Sequence, residues 1–519
     1  MRRAGPVTFV LLASTFVSAC GARTVLDVSS REDDASVTAD ASADAGRDAG
    51  RDSGVDSGVD AGRDSGMIPS TGPCARDADC DIGVCRGAVG FSPADLANHP
   101  LECGPTDPDG GPVGAPCSSP TQCGRGLCSV SGVCVEPCRT DVDCDAGERC
   151  RQVFVPTSAR SMQPVLACTA LVAAPDGVRV VGPEPGPTLS GGMDAGEDAL
   201  PALGDDALVI WTGAPASTPF IARIATRRPP ATVFDAFEGG DPRAPAPDWG
   251  VSPLTVTDAA TLLYPNGPGT PDSGRGFDVT FGASSPTPLE RYVAQRSAPG
   301  RVFDVDAYLV GGGGWTARSG VAPPDMRRAL ADAGAALASA GIVLGEIRVH
   351  EVVGALRERY GVLEGAAGPA MVPEELDDLY ALTAGQNRPA IPIFFVRSIE
   401  GALGIASGIP GPHVLPGTGA SGVAISVDLV PVDEMGVVIA HELGHYTGLF
   451  HTSEIDGRVN DPFPDTPECR LDRDTDGDGF LRPSECRGAG ADHLMFWAGR
   501  SPTVSAGQAE LMRRAYFVR

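Results

Sequence analysis

The chain has 519 residues, 42% apolar, 5% aromatic and 21% charged, a length that holds roughly two to four domains. With 67 Gly and 47 Pro, long stretches must be turns, linkers or loop-rich modules, which excludes a coiled coil or a helical bundle. All 40 basic residues are Arg, and 67 acidic residues bring the net charge to −27, so a phosphate backbone meets net repulsion and no nucleic-acid partner is expected.

Arg2 and Arg3 precede an apolar run over 7–17. The run is too short to cross a hydrocarbon layer of about 30 Å as a helix, but it suits a signal peptide. It ends Val17-Ser18-Ala19-Cys20, which resembles the lipobox of bacterial lipoproteins. The resemblance implies that Cys20 is acylated and becomes the mature N-terminus. Gly21 at the next position favours the outer membrane or cell surface, with later release outside the cell left open. The only membrane contact expected is the lipid anchor, and the alternative is an ordinary signal peptide with an incidental Cys. From Asp44 to Gly66 a four-residue unit, Asp-Ala/Ser-Gly-Arg/Val, recurs with almost nothing to bury. Residues 21–73 are therefore expected to be a disordered tether.

Of 15 Cys, setting aside Cys20 leaves an even 14 in an exported chain, where disulfides persist. Twelve lie over 74–170 in an internal repeat of three groups, which begin Cys74-x5-Cys80-x4-Cys85, Cys117-x5-Cys123-x4-Cys128 and Cys138-x5-Cys144-x5-Cys150. They close with Cys103, Cys134 and Cys168. Modules this small have no real core and need covalent staples, so disulfides are expected over zinc clusters, with connectivity open. Over 175–300, short runs at 207–211, 220–226, 232–237, 254–257 and 276–281 stand between Gly and Pro clusters and predict a small all-β domain.

Over 301–519 the pattern is mixed α/β. Strands are predicted over 302–310, 342–349, 391–399 and 422–427, and helices from Pro324 to Gly341, over 374–384 and over 433–448. Pro392 places its strand near an edge, or starts the pairing after it. The last helix carries His441-Glu442-Leu443-Gly444-His445-Tyr446-Thr447-Gly448-Leu449-Phe450-His451. His441 and His445 are four apart, so one helical face presents both imidazoles to one ion. Gly448 permits the left-handed turn that ends the helix and brings His451 round as a third zinc ligand. Three neutral His leave a fourth position for water, which the metal acidifies toward a pKa of about 7. Glu442, beside the first ligand, is placed to take that water's proton as general base and return it to the leaving amine.

This segment is the signature pattern of the metzincin zinc peptidases. Thr452, then Asp465-Thr466-Pro467, His493-Leu494-Met495-Phe496-Trp497 and Gly507-Gln508 ahead of Met512-Arg513 resemble the C-terminal half of pappalysin-type members. The resemblance covers about 300–519. It implies a twisted mixed sheet with an active-site helix and a loop-rich C-terminal subdomain, with Met495 in a Met-turn that floors the metal. In that family a Tyr commonly lies two residues after the Met and steadies the oxyanion. Here Trp497 stands there as a candidate oxyanion or substrate contact, and indole can donate but cannot ionise.

Residues 474–485 fit the twelve-residue calcium loop D-x-[DN]-x-[DN]-G-x5-E. Asp474, Asp476, Asp478, the Phe480 carbonyl and Glu485 are its candidate Ca²⁺ ligands, Gly479 makes the sharp turn and Leu481 anchors the loop. A merely acidic turn is the alternative. Cys469 and Cys486 bracket the loop, are the only Cys in this half, and are expected to pair. The expected architecture is thus multidomain: an α/β metzincin-type domain preceded by a small all-β domain and disulfide-rich repeats. Two function classes are compatible with it. One is a zinc-dependent endopeptidase acting on extracellular protein or peptide substrates; the other is a surface adhesion lipoprotein on the same fold that has lost turnover, which the intact Glu442 disfavours.

Overall fold

The computed structural model describes residues 23–24 and most of 74–519; the main stretches outside the described residues are 1–22, 25–73, 88–100, 236–258, 265–275, 365–373 and 412–420. The expected signal peptide with Cys20, and the expected tether, therefore lie outside the described residues, apart from a two-residue strand β1 (Arg23–Thr24). The chain is multidomain, with much sheet and few helices, and its disulfides lie mostly toward the N-terminal side.

The three Cys groups share one connectivity, first to third and second to fourth. The bonds are Cys74–Cys85 with Cys80–Cys103, Cys117–Cys128 with Cys123–Cys134, and Cys138–Cys150 with Cys144–Cys168. Around these staples run an antiparallel pair, β2 (Val84–Gly87) and β3 (Leu101–Gly104), and a small sheet of β4 (Glu136–Pro137), β5 (Glu148–Ser158) and β6 (Ser161–Ala170). Ion pairs link one module to the next. Arg125 bridges Asp77 and Glu136, Arg76 meets Asp143, and Arg139 meets Asp79.

Next come two four-stranded antiparallel sheets. Their strands are β7 (Val178–Leu189), β8 (Gly192–Leu200), β9 (Ala207–Thr212), β10 (Phe220–Thr226), β11 (Val233–Asp235), β12 (Ala259–Tyr264), β13 (Phe277–Ala283) and β14 (Thr287–Arg296). The sheet orders are β11-β10-β13-β8 and β12-β9-β14-β7. β9 is buried at every position because both of its faces are covered. Val209 and Trp211 point into the space between the sheets, whereas Leu208 and Ile210 join the core of the α/β domain. β12 and β14 divide the same way, with Leu263, Tyr292 and Ala294 on the α/β side. The expected all-β domain is thus fused to the α/β domain through a common core. The strand expected at 254–257 lies outside the described residues, and β12 comes shortly after it. β7 and β8 escape a sequence reading because they are edge strands rich in Pro, Gly and Asp, which only an edge tolerates.

The α/β domain contains β15 (Val302–Leu309), α1 (Pro324–Leu337), β16 (Val343–Glu351), α2 (Gly354–Tyr360), β17 (Val362–Leu363), α3 (Glu374–Tyr380), β18 (Ala390–Val396), β19 (Ser398–Ile399), β20 (Gly404–Ala406), β21 (Val423–Ser426), α4 (Val432–Thr447) and α5 (Ala506–Arg514). Its main sheet has the order β1-β20-β21-β18-β15-β16. β16, β15, β18 and β21 are parallel; at one edge β20 runs antiparallel to β21, and β1 antiparallel to β20. β18 is central, not an edge. Pro392 is accommodated because β21 pairs only from Ile393 onward.

Helices α1 and α4 cover one face of this sheet with Phe303, Val305, Ala307 and Leu309 beneath them. The helices approach closely because Gly436 has no side chain: a Cβ there would lie 2.5 Å from the Cβ of Asp332. The opposite face presents Tyr308, Val310 and Phe394, and the disulfide modules close it with Val130 and Phe154. Beyond α4 the chain is largely irregular, tied by Cys469–Cys486 and by α5, whose Ser505 and Gln508 form a capping box. Buried Arg296 donates to the carbonyls of Ala298, Ala515 and Tyr516, which fastens the C-terminus to β14. Among the described residues no helix is long and apolar enough to cross a membrane.

Candidate metal centre

Helix α4 carries acidic Asp433 and Glu434 in its first turn, where they complement the helix dipole, and it ends at Gly448 with φ 112°. At that left-handed residue Gly448 N–H donates to the His445 carbonyl and Leu449 N–H to that of Gly444. The chain then turns back on the helix and brings His451 to the face that holds His441 and His445. The three Nε2 atoms are 3.1 Å apart for His441 and His445, 3.1 Å for His445 and His451, and 3.3 Å for His441 and His451.

Each ring is oriented from its far side. His441 Nδ1 lies 2.6 Å from the Leu494 carbonyl, His445 Nδ1 2.8 Å from the Leu449 carbonyl, and His451 Nδ1 2.9 Å from Glu454 Oε2. Two carbonyls and a carboxylate can only accept, so each Nδ1 is the donor, and in a neutral ring this leaves Nε2 with its lone pair. Exposure is 0% for His441 and His445 and 3% for His451, so water does not separate the lone pairs. Burial, then the neighbouring imidazoles, hold His441 down to about 3 and His445 well below the ordinary histidine range, which keeps both neutral. Three converging lone pairs repel one another unless a cation lies between them. Tetrahedral zinc with Zn–N bonds of about 2.0–2.1 Å sets neighbouring nitrogens about 3.3 Å apart, so these donors fit it.

The floor comes from the segment after the loop. Leu494 holds His441, the Met495 carbonyl accepts from Thr452 N–H at 2.8 Å, and a Cβ on Gly444 would lie 2.4 Å from the Met495 sulfur. Position 444 must therefore be glycine for Met495 to pack against α4 at this depth. Glu442 is fully buried and turned toward the sheet edge. Gly404 of β20 makes the space for it, since a Cβ at 404 would meet the Glu442 Cγ at 2.5 Å and Oε1 at 2.8 Å. Glu454, which orients His451, is absent from the sequence reading; its only signal is its place three residues after the third His.

Trp497 departs from expectation. Its Nε1–H is donated to the Leu481 carbonyl at 2.8 Å, and its ring is buried with Phe496, Leu481 and the Cys469–Cys486 bond. With its one polar hydrogen spent inside the core, Trp497 does not offer it to an oxyanion or a substrate. It ties the segment that carries Met495 to the 474–485 loop.

In that loop the sharp turns fall at Gly477 and Gly479, with φ 75° and 84°, and Leu481 is fully buried as anchor. The carboxylates are engaged internally. Asp474 accepts from the amides of Gly477 and Gly479, Asp476 from that of Asp478, and Asp478 from that of Phe480. Glu485 accepts from the amides of Thr475 and Arg482 and from the Thr475 hydroxyl, contacts that pull its pKa to about 2. The Arg482 guanidinium bridges Asp476 at 2.5 Å and Asp478 at 2.6 Å. The loop thus has its own counter-charge, and a calcium ion would have to displace Arg482 from both Asp side chains.

No family model matches the sequence, and no curated protein aligns with it.

Proposed function

We propose that the protein is a zinc-dependent endopeptidase of the metzincin, pappalysin-like kind, which hydrolyses peptide bonds in extracellular proteins. The observation that carries this reading is the convergence of three buried Nε2 atoms 3.1–3.3 Å apart, with every Nδ1 beside an acceptor. Bound by His441, His445 and His451, zinc would polarise the scissile carbonyl and acidify the attacking water. Glu442 takes the proton of that water and returns it to the leaving amine. Its burial against Gly404 favours this role by removing competing solvent. Leu494, Leu449 and Glu454 hold the imidazole protons and so keep the ligands aimed. Calcium enters this reading only as a competitor of Arg482 in the 474–485 loop. The address, an acylated Cys20 on an exported chain, rests on the sequence; Cys20→Ser should free the protein from washed membranes, and retention would refute the anchor.

The second reading, a surface binding protein without turnover, is favoured by one observation: the Trp497 N–H is consumed by Leu481. The full chain decides between them. About one zinc per chain together with casein cleavage supports the peptidase. Zinc without cleavage supports the binding protein, and absence of zinc refutes the peptidase.

A further inference from the structure

The outermost strand of the main sheet is not part of the α/β domain's own sequence. It is β1, Arg23–Thr24, from far upstream of the disulfide modules. It pairs antiparallel with β20, Arg23 opposite Ile405 and Thr24 opposite Gly404. Gly404 is the residue whose missing side chain makes room for the Glu442 carboxylate, and β1 also lies against α4, the helix that carries Glu442 and two of the histidines. An unpaired sheet edge offers a row of main-chain donors and acceptors to any extended chain. Here that edge, at the residue beside the candidate base, is taken by the protein's own N-terminal segment.

We propose that Arg23–Thr24 is an intramolecular occupant of the edge along which substrate would lie, and that the protein is held in a self-blocked state until this strand leaves. The inference rests on the peptidase reading above for its inhibitory meaning, but on strand pairing alone for its geometry. Two features make the block reversible. The strand has two residues, so it gives few main-chain bonds, and main-chain pairing carries no demand on sequence. Its strength comes from connection: as part of the same chain, it re-pairs intramolecularly. A substrate that pairs over a longer stretch displaces it, while short or scarce peptides do not.

The test compares the full chain with Arg23→Pro/Thr24→Pro, which removes both main-chain donors and fixes φ. Hydrogen exchange at 404–406 reads the pairing without reference to catalysis, and cleavage of a short peptide reads the block. The variant should exchange its outward-facing amides at least about tenfold faster, and its KM should fall about three- to tenfold at unchanged kcat, the scale of a modest competing equilibrium. A synthetic peptide of residues 21–28, added at millimolar concentration, should restore protection and raise KM again. Unchanged exchange overturns the proposal. Faster exchange with the same KM overturns the block, because the strand then pairs without obstructing. If neither protein cleaves anything although exchange differs, the peptidase reading has failed and takes the inhibitory role with it, while the pairing stands.

Discussion

The imidazoles of His441, His445 and His451 and the carboxylates of the 474–485 loop are both sets of metal-ligating groups, yet water reaches only the second. The histidines are 0–3% exposed and hold one another's lone pairs at close range, whereas the Asp476 side chain is 54% exposed and paired with Arg482. A cluster of potential ligands therefore carries different weight in the two places. A buried set with no other way to satisfy itself points to an ion, while an exposed set that finds backbone amides and an Arg nearby is stable without one. Sequence spacing alone gives both motifs equal standing; burial and the hydrogen-bond inventory separate them.

The largest effect that would break this contrast is at the base. Glu442→Ala should keep its zinc, measured by metal analysis, and lose at least about 10²-fold in peptide cleavage. Cleavage equal to wild type would remove Glu442 from the reaction. Next, Glu454→Ala should weaken zinc binding about 10- to 100-fold in a chelator competition, because His451 loses the acceptor that fixes its tautomer. The bound geometry would not depend on Nδ1 if the affinity held.

Two intermediate effects sharpen the contrast by burial. Trp497→Phe leaves the buried Leu481 carbonyl without its donor, which costs about 1–3 kcal/mol. The melting temperature should drop while zinc affinity stays, and a loss of zinc instead would return Trp497 to the metal site. Asp461 is a buried carboxylate that accepts from Thr466, Phe463 and Gln508, and burial raises its pKa to about 7. The folded state therefore holds its proton where the unfolded state has released it. Stability from this group is full below about pH 4 and is lost as pH rises toward 7. Asp461→Asn should flatten the melting temperature against pH across that window, and a slope as steep as wild type would show that another group sets it. The smallest effect belongs to the exposed loop. Calcium should raise the melting temperature of Arg482→Ala more than that of wild type, since the guanidinium no longer competes; equal shifts would mean that Arg482 does not neutralise the loop.

The convergence of His441, His445 and His451 was legible because a helical repeat and one left-handed Gly suffice to place them. The order of the sheet, and the union of β9, β12 and β14 with two cores at once, were not. A strand buried on both faces reads as an apolar run whatever it packs against. Pairing among the first twelve paired Cys was closed to the sequence because each module's spacing is compatible with every pairing until the hairpins are built. The Leu481 and Leu494 carbonyls were invisible for a simpler reason: a main-chain acceptor has no residue type to announce it.

The disulfide modules close the rear of the main sheet through Val130 and Phe154, and Ser131 donates to the Leu382 carbonyl at 3.2 Å. Among the described residues no thiol lies at the three-histidine centre, and the disulfide nearest to it is Cys469–Cys486, packed with Phe496 and Trp497. Opening Cys117–Cys128 or Cys123–Cys134 would loosen the small module that carries Val130 and expose Tyr308, Val310 and Phe394 to solvent. The protein should then fail through aggregation while the three-histidine centre stays assembled, so a need for oxidising surroundings would come from a surface on the opposite side of the sheet from those histidines.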